Sequence, residues 1–158
     1  MEKITRLFQR VDPIITDWMA RNGIWLIRTS LGIVFLWFGI LKFFPGLSAA
    51  EQLAGRTIER LTFGALTPHQ SLPVLATWEC LIGLGLLTGF AQRFTLLLLF
   101  LQMPGTILPL FFFPQESFLK VPYAPTLEGQ YIIKNLVLIS AGIVIGATVR
   151  GGRIVTER

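Results

Sequence analysis

The sequence predicts an all-α integral membrane protein: a four-transmembrane-helix bundle with an N-terminal interfacial helix and an amphipathic outer helix between the first two spans. Hydrophobic residues make up 53% of the 158 residues, and charged residues only 15%. The mean hydropathy of +0.64 is well above that of ordinary soluble domains. A helix needs roughly 20 residues to cross a hydrocarbon core, and four apolar runs approach that length.

The four spans occupy most of the chain. They are expected at about 23–44, 71–89, 92–113 and 130–149. The second is interrupted by Glu79 but otherwise qualifies, and the first is too long for the apolar core of a signal peptide. Since few residues remain for a separate soluble catalytic domain, we expect residues 1–158 to form a single membrane domain.

Two further segments are amphipathic. Residues 3–21 place apolar side chains at helical spacing, which predicts a helix on the inner membrane surface that restarts at Asp12 and Pro13. The alternative for this segment is a frayed tail. Residues 48–62 are too short and too charged to span, so this helix should cap the outer end of the bundle or lie in the outer interface.

The basic residues indicate the orientation of the chain. If the spans alternate, eight of them fall on one side: Lys3, Arg6, Arg10, Arg21, Arg93, Arg150, Arg153 and Arg158. The opposite loops hold only Arg56, Arg60 and Lys120. The positive-inside rule then predicts a multi-pass protein of the inner (cytoplasmic) membrane with both termini in the cytoplasm. Although the net charge is +5, it forms no basic patch, so the expected environment is the lipid bilayer and not nucleic acid.

The single cysteine and the single histidine, Cys80 and His69, exclude several kinds of chemistry. One chain cannot supply an internal disulfide relay, a bis-histidine haem site or a Cys/His metal site. We therefore expect no metal site and no intrinsic cofactor.

Each span carries one face of polar and small residues. Ionisable residues within a span cost about 2.5–3.5 kcal/mol on insertion scales, so each of them needs an explanation. The stripes, at spacings of three or four residues, are Arg28–Gly32–Phe35–Gly39–Lys42, Glu79–Gly83, Gln102–Gly105–Pro109 and Asn135–Ile139–Gly142–Gly146, with Lys134 beside the last. Such stripes face other helices and not lipid.

The depths of these residues predict where they meet. On a rise of 1.5 Å per residue, Glu79 lies roughly 12 Å and Lys134 roughly 6 Å below the outer boundary. The residues expected to converge in the outer half of the bundle are Lys42, Glu79, Gln102, Lys134 and Asn135. Arg28 lies deeper and reaches Glu79 only if the two stripes face each other.

Two interpretations of this cluster remain open. In the first, it is a structural clamp in which Glu79 satisfies one or two cations and Asn135 bonds across helices. In the second, it lines a polar cavity open to the outer side. Glu79 then acts as proton acceptor or ion-pairing centre, and the bases bind an anion or a quinone headgroup. An excess of bases over acids, which a clamp does not require, favours the second interpretation.

Three segments resemble the DoxX-like family of small bacterial membrane proteins: RTSLGIVFLWFGILKF at 28–43, WECLIGLGLLTGFAQR at 78–93 and TLEGQYIIKNLVLISAGIVI at 126–145. In the family pattern an arginine opens the first helix and a glycine and a lysine close it. A glutamate leads a glycine-rich second helix, and a Lys-Asn pair leads the last. The matching positions are Arg28, Gly39, Lys42, Glu79, Gly83, Arg93, Lys134 and Asn135.

The resemblance implies a four-helix membrane bundle associated with redox chemistry. Family members are similar to the small membrane subunit of an archaeal thiosulfate:quinone oxidoreductase, and others are linked to oxidative-stress defence. The resulting hypothesis is a membrane subunit of a quinone-linked redox system or oxidative-stress defence complex. Its ligand would be a quinone. Its partner would be a redox subunit or a second copy of the chain. The chain would then be part of an oxidoreductase and not a self-sufficient enzyme. The alternatives are a small anion or proton transporter and a purely structural anchor or assembly subunit.

Overall fold

A computed structural model describes the backbone of residues 2–48 and 51–152, and the side chains of residues 11–48 and 51–152. The elements are α1 (Glu2–Leu41), α2 (Glu51–Leu61), α3 (Pro68–Thr88), α4 (Gln92–Ile107), α5 (Pro109–Phe112), α6 (Pro114–Ser117), β1 (Phe118–Lys120), β2 (Ala124–Pro125) and α7 (Leu127–Thr148). Within this described part, four segments are long and apolar enough to cross a membrane: Val11–Leu41, Pro68–Thr88, Gln92–Phe112 and Leu127–Thr148. The all-α membrane bundle predicted from the sequence is confirmed.

The first helix is longer than the sequence predicted. α1 runs from Glu2 to Leu41 with Pro13 inside it, so the predicted restart at Asp12 and Pro13 is wrong. Segment 3–21 is continuous with the first span and does not form a separate interfacial helix. Proline removes one backbone hydrogen bond and costs about 3 kcal/mol, but the helical bonds on either side continue the helix through it.

The four spans form a closed ring of neighbours. α1 packs against α3 and α7, while α4 packs against the other faces of α3 and α7. A three-residue turn joins α3 to α4, and two of its residues, Gly89 and Ala91, have positive φ angles of 74° and 47°. The core between the spans contains Leu31, Phe35, Ile82, Leu86, Leu96, Leu99, Met103, Ala141 and Ile145.

The small-residue stripes of α1 and α3 face each other. A Cβ atom added at Gly83 would lie 2.8 Å from the Cα of Leu36, and one added at Gly39 would lie 3.0 Å from the Cβ of Glu79. The space at Gly83 cannot hold a Cβ atom without movement of the Leu36 backbone, and the space at Gly39 is tight, so these glycines allow the two backbones to approach closely. This close approach fixes which turns of α1 and α3 lie opposite each other.

The outer end of the bundle, defined here as the end that carries α2 and α6, is covered by α2. Nη1 of Arg56 donates to both carboxylate oxygens of Glu116, at 2.7 and 2.9 Å, and its guanidinium lies 4.4 Å from the ring centroid of Phe113. Arg60 lies 4.9 Å from the ring centroid of Phe112. α2 therefore packs over this end of the bundle, held by cation–π contacts and an exposed ion pair that contributes about 0–1 kcal/mol.

The loop before α7 is short but ordered by hydrogen bonds. Thr126 is the N-cap of α7, and its hydroxyl accepts from the backbone N–H of Gly129 at 3.2 Å and donates to the carbonyl of Glu116 at 2.7 Å. β1 and β2 form a small antiparallel hairpin in the segment that precedes this cap. The cap thereby ties the outer end of α7 to the same segment that α2 contacts.

Replacing Gly83 by leucine should destabilise the bundle. The new side chain would be forced against the backbone of Leu36, and we expect the free energy of unfolding to fall by about 1–3 kcal/mol. Thermal unfolding in mild detergent measures this change. Gly23→Leu is the matched control, because no atom lies within 4 Å of the added Cβ, and it should not destabilise the bundle, since leucine has a higher helix propensity than glycine. Equal melting temperatures for the two variants would contradict the proposed packing.

Candidate functional site

Glu79 is the centre of a hydrogen-bonded cluster between three spans. Its side chain is buried in α3, with 8% of the residue exposed. Nζ of Lys42 donates to Oε2 at 2.6 Å, and Nε2 of Gln102 donates to Oε1 at 2.8 Å. Lys42 also lies 3.4 Å from the carbonyl oxygen of Phe38. One carboxylate thus connects α3 to α4 and to the outer end of α1.

The local structure of α1 explains how Lys42 reaches Glu79. α1 ends at Leu41, and Lys42 is the first residue of the turn that follows. Three residues earlier, Gly39 has no side chain to separate the helices, and an added Cβ would lie 3.0 Å from both the Cβ of Glu79 and the Sγ of Cys80. The lysine ammonium is therefore held beside the carboxylate by the close contact of α1 with α3.

The cluster forms part of the wall of a cavity of about 520 Å³ in the outer half of the bundle, named here the outer cavity. Apolar side chains from all four spans and α2 make up most of the lining, among them Phe35, Phe38, Leu53, Trp78, Leu101, Met103 and Leu138. The polar lining residues include Lys42, Thr57, Ser71, Glu79, Gln102, Thr106, Lys134 and Asn135. A mostly apolar cavity with a few polar groups is the usual form of a site for a small organic ligand.

Lys134 and Asn135 line the outer cavity from α7 but are not bonded to Glu79. Lys134 is exposed, and its Nζ lies 5.5 Å from the ring centroid of Tyr131. Among the described side chains, no carboxylate lies at ion-pairing distance from it. The positive charge on this wall is therefore not neutralised by the Glu79 cluster.

Arg28 lies apart from the other five candidate residues. Its guanidinium is close to Gly89, where an added Cβ would be 2.8 Å from Nη1. Since Gly89 follows Glu79 by ten residues, this contact is about 15 Å further along α3. The stripes of α1 and α3 do face each other, but the Lys42 end of one meets Glu79 while the Arg28 end meets Gly89. The Nε of Arg28 is buried without a partner among the described residues.

Gln102 has one unsatisfied atom in the cluster. Its Nε2 donates to Glu79, whereas its Oε1 is buried and accepts no hydrogen bond from any described residue. A buried carbonyl without a donor costs free energy, so a ligand that donates a hydrogen bond here would be favoured. This acceptor is a feature that sequence analysis did not identify.

Sequence analysis also missed the contribution of α2 to the cavity. Leu53, Thr57 and Ile58 line it from above, and Trp78 lines it from α3 with its indole N–H donating to the carbonyl of Leu98 at 3.1 Å. The apolar face of α2 was a signal for this position, since that face must pack on the bundle.

The described residues include no group of three His, Cys, Asp or Glu side chains that could hold a metal ion.

The DoxX family model matches residues 23–115, which is more than half of the chain. The chain belongs to the DoxX family. The matched stretch contains Arg28, Lys42, Glu79 and Gln102, and it includes the first membrane span from residue 23 onward and all of the second and third spans. Lys134 and Asn135 lie beyond it. No curated protein and no solved structure is significantly similar to the chain. Family membership and four apolar helices together make this DoxX chain a multi-pass membrane protein.

A double-mutant cycle measures the pair that Glu79 forms with Lys42 in the DoxX bundle. Glu79→Gln leaves a buried ammonium without its carboxylate, so we expect a loss of about 3–5 kcal/mol in the free energy of unfolding. Adding Lys42→Met should recover most of this loss, because both buried charges are then absent. Thermal or chemical unfolding in detergent provides the four free energies.

Lys134→Met serves as the matched control for this cycle. Lys134 is exposed and has no carboxylate partner among the described residues, so its replacement should change stability by less than about 0.5 kcal/mol. Additive losses from Lys42→Met and Glu79→Gln would show that the two side chains do not interact.

Proposed function

We propose that this protein is a membrane subunit of a quinone-linked redox system or oxidative-stress defence complex, and that its outer cavity binds the quinone headgroup. The observation that carries the proposal is the composition of the cavity wall. About 520 Å³ of mostly apolar space contains a small polar set from all four spans. Pockets for small organic ligands are typically about 300–1,000 Å³ and have this same division between apolar walls and a few orienting polar groups.

The polar groups in the cavity match the chemistry of a quinone. The two ring oxygens of a quinone accept hydrogen bonds, and Lys134 and Asn135 supply donors from α7. Its reduced form carries hydroxyls that donate, and the buried Oε1 of Gln102 is an acceptor without a donor among the described residues. The apolar lining suits the ring and the start of the isoprenoid chain.

Glu79 orients the polar groups on the cavity wall opposite α7. Its two oxygens fix the amide of Gln102 and the ammonium of Lys42, so that these groups cannot turn away from the wall. We propose that Glu79 is the ion-pairing centre of the site and the group at which a proton can be held. Arg28 lies at the other end of α3 and has no part in the outer cavity.

We propose that the electrons come from outside this chain. The described residues include no group of three His, Cys, Asp or Glu side chains that could hold a metal ion, and the sequence has one cysteine, which cannot form an internal disulfide. We therefore propose a partner redox subunit, with a second copy of the chain as the other candidate. In this assignment residues 1–158 act as one membrane domain that presents a quinone site to its partner.

The orientation in the membrane follows from the charged loops. Arg93 lies at the α3–α4 end of the bundle and Arg150 follows the end of α7, whereas Arg56 and Arg60 lie on α2 at the opposite end. Applied to the whole chain, the positive-inside rule favours an inner-membrane orientation with both termini on the cytoplasmic side. The outer cavity then lies near the opposite surface of the membrane.

A purely structural anchor is the second candidate function. It is favoured by the fact that both oxygens of Glu79 already have protein partners, as a clamp requires. A transporter for an anion or a proton would instead use the unneutralised charge of Lys134. Transport by purified protein in vesicles that disappears in Lys134→Met would identify the transporter, and an anchor would show neither transport nor quinone binding.

Quenching of Trp78 fluorescence should report quinone in the outer cavity. Trp18, Trp25 and Trp37 are exposed and can be replaced by phenylalanine, which leaves Trp78 in the cavity wall as the only tryptophan. A short-chain ubiquinone should quench this residue with saturation, while decanol should not. Lys134→Met should weaken quinone binding by about tenfold or more, because a charged donor is lost.

Two variants separate cavity binding from partition into detergent. Gly105→Leu fills the cavity from α4, where nothing lies within 4 Å of the added Cβ, so it should abolish saturable quenching without lowering the melting temperature. Lys120→Met removes an exposed charge in β1, outside the cavity, and should bind quinone as the parent does. Saturable quenching that survives Gly105→Leu would exclude the outer cavity as the quinone site.

A further inference from the structure

A second concave site lies at the opposite end of the bundle, between the start of α4 and the end of α7. This inner groove has a volume of about 500 Å³. Arg93 and Arg150 line it, together with Leu97 and Phe100 from α4 and the small residues Gly146 and Ala147 from α7. Nothing in the proposed quinone site uses these residues.

The inner groove extends from a charged mouth into the apolar part of the bundle. Arg93 lies in the first turn of α4, and Leu97 and Phe100 follow it on the same face at spacings of four and three residues. The distance from Arg93 to Phe100 along the helix is about 10 Å. The ring of Phe100 closes the deep end, since an added Cβ at Gly142 would lie 3.2 Å from it.

The electrostatics of the mouth favour an anion. Both arginines are exposed, and among the described residues that line the groove there is no carboxylate. The mouth also lies at the N-terminus of α4, where the first backbone N–H groups have no partner within the helix and the helix dipole is positive. Guanidinium groups bind phosphate with two parallel hydrogen bonds, which makes arginine well suited to this anion.

We propose that the inner groove binds an anionic phospholipid, with its phosphate between Arg93 and Arg150 and an acyl chain along Leu97 and Phe100. The apolar walls decide between a lipid and a free phosphate. A soluble anion would contact only the mouth, whereas a lipid also fills the space above Gly146 and Ala147. Basic pockets between membrane helices near the cytoplasmic surface have the right chemistry for lipid headgroups.

Native mass spectrometry of the purified protein in mild detergent tests this site. Titration with phosphatidylglycerol and with phosphatidylcholine of the same acyl chains should show about tenfold tighter binding of the anionic lipid. The double variant Arg93→Gln with Arg150→Gln should lose this preference. Arg21→Gln is the matched control: it removes an exposed charge at the same end of the bundle but outside the groove, and it should retain the preference.

A third variant distinguishes lipid binding in the groove from lipid binding to a charged surface. Gly146→Leu keeps both arginines but fills the floor, and its site is exposed with only Leu96 near the added Cβ, at 3.5 Å, so the fold should be retained. Ala147→Leu, also exposed, fills the same floor if Gly146→Leu lowers the melting temperature. Phosphatidylglycerol binding should fall about tenfold in the filled variant.

The same titration tests whether the bound phosphate belongs to a phospholipid headgroup or is free inorganic phosphate. Inorganic phosphate in large excess should leave phosphatidylglycerol bound, because it cannot replace the acyl-chain contacts. The proposal is overturned if phosphate displaces the lipid, if a folded filled variant binds phosphatidylglycerol as the parent does, or if the double arginine variant keeps its preference.

Discussion

Glu79 lies in the apolar helix α3, and its carboxylate is buried between the spans. The arrangement of three spans follows from the hydrogen-bond and ion-pair partners that this carboxylate requires. An unpaired charge in such a position would cost several kcal/mol. Its own helix offers none, since backbone groups in the middle of α3 are already bonded to each other. The partners are Lys42 from the outer end of α1 and Gln102 from the middle of α4. Any sliding of one span by a single turn, about 5.4 Å, would break one of these contacts.

The glycines on α1 and α3 make this pairing geometrically accessible. Gly39 lies against Glu79, and Gly83 lies against Leu36 one turn further along α3. Side chains at either position would push the helices apart and move the Lys42 ammonium away from the carboxylate. The same register carries Arg28 to Gly89, at the far end of α3. The distance of Arg28 from Glu79 is thus a consequence of the contact that brings Lys42 close.

The features that could be predicted from the sequence are those that depend on the residues of a single helix. Membrane thickness fixes the length of a span, so the four spans were readable from hydropathy. Helical spacing and depth also indicated that Lys42, Glu79 and Gln102 could approach one another. The continuity of α1 through Pro13 was not readable, because a proline both begins helices and is tolerated inside them, and only the neighbouring backbone bonds decide between the two.

Other features depend on contacts between distant parts of the chain. Arg56 meets Glu116 and Phe113 across nearly 60 residues of sequence, and no local pattern specifies that contact. The position of the Lys134 ammonium is a similar case. Depth alone placed Lys134 near Glu79, but its side chain is exposed and its ammonium lies over the ring of Tyr131.

The clamp and the proposed ligand site share Glu79, but they differ in the atoms that would contact a ligand. The clamp consists of the two oxygens of Glu79, the ammonium of Lys42 and the amide nitrogen of Gln102, and each of these has a partner. The atoms left for a ligand are the Oε1 of Gln102 and the polar ends of Lys134 and Asn135 on the opposite wall. Because the clamp holds α1, α3 and α4 without involving α7, it can keep the cavity open while α7 presents the donors. In the proposed site the polar groups of one wall are already fixed by internal hydrogen bonds, and such preorganisation lowers the entropic cost of binding a ligand.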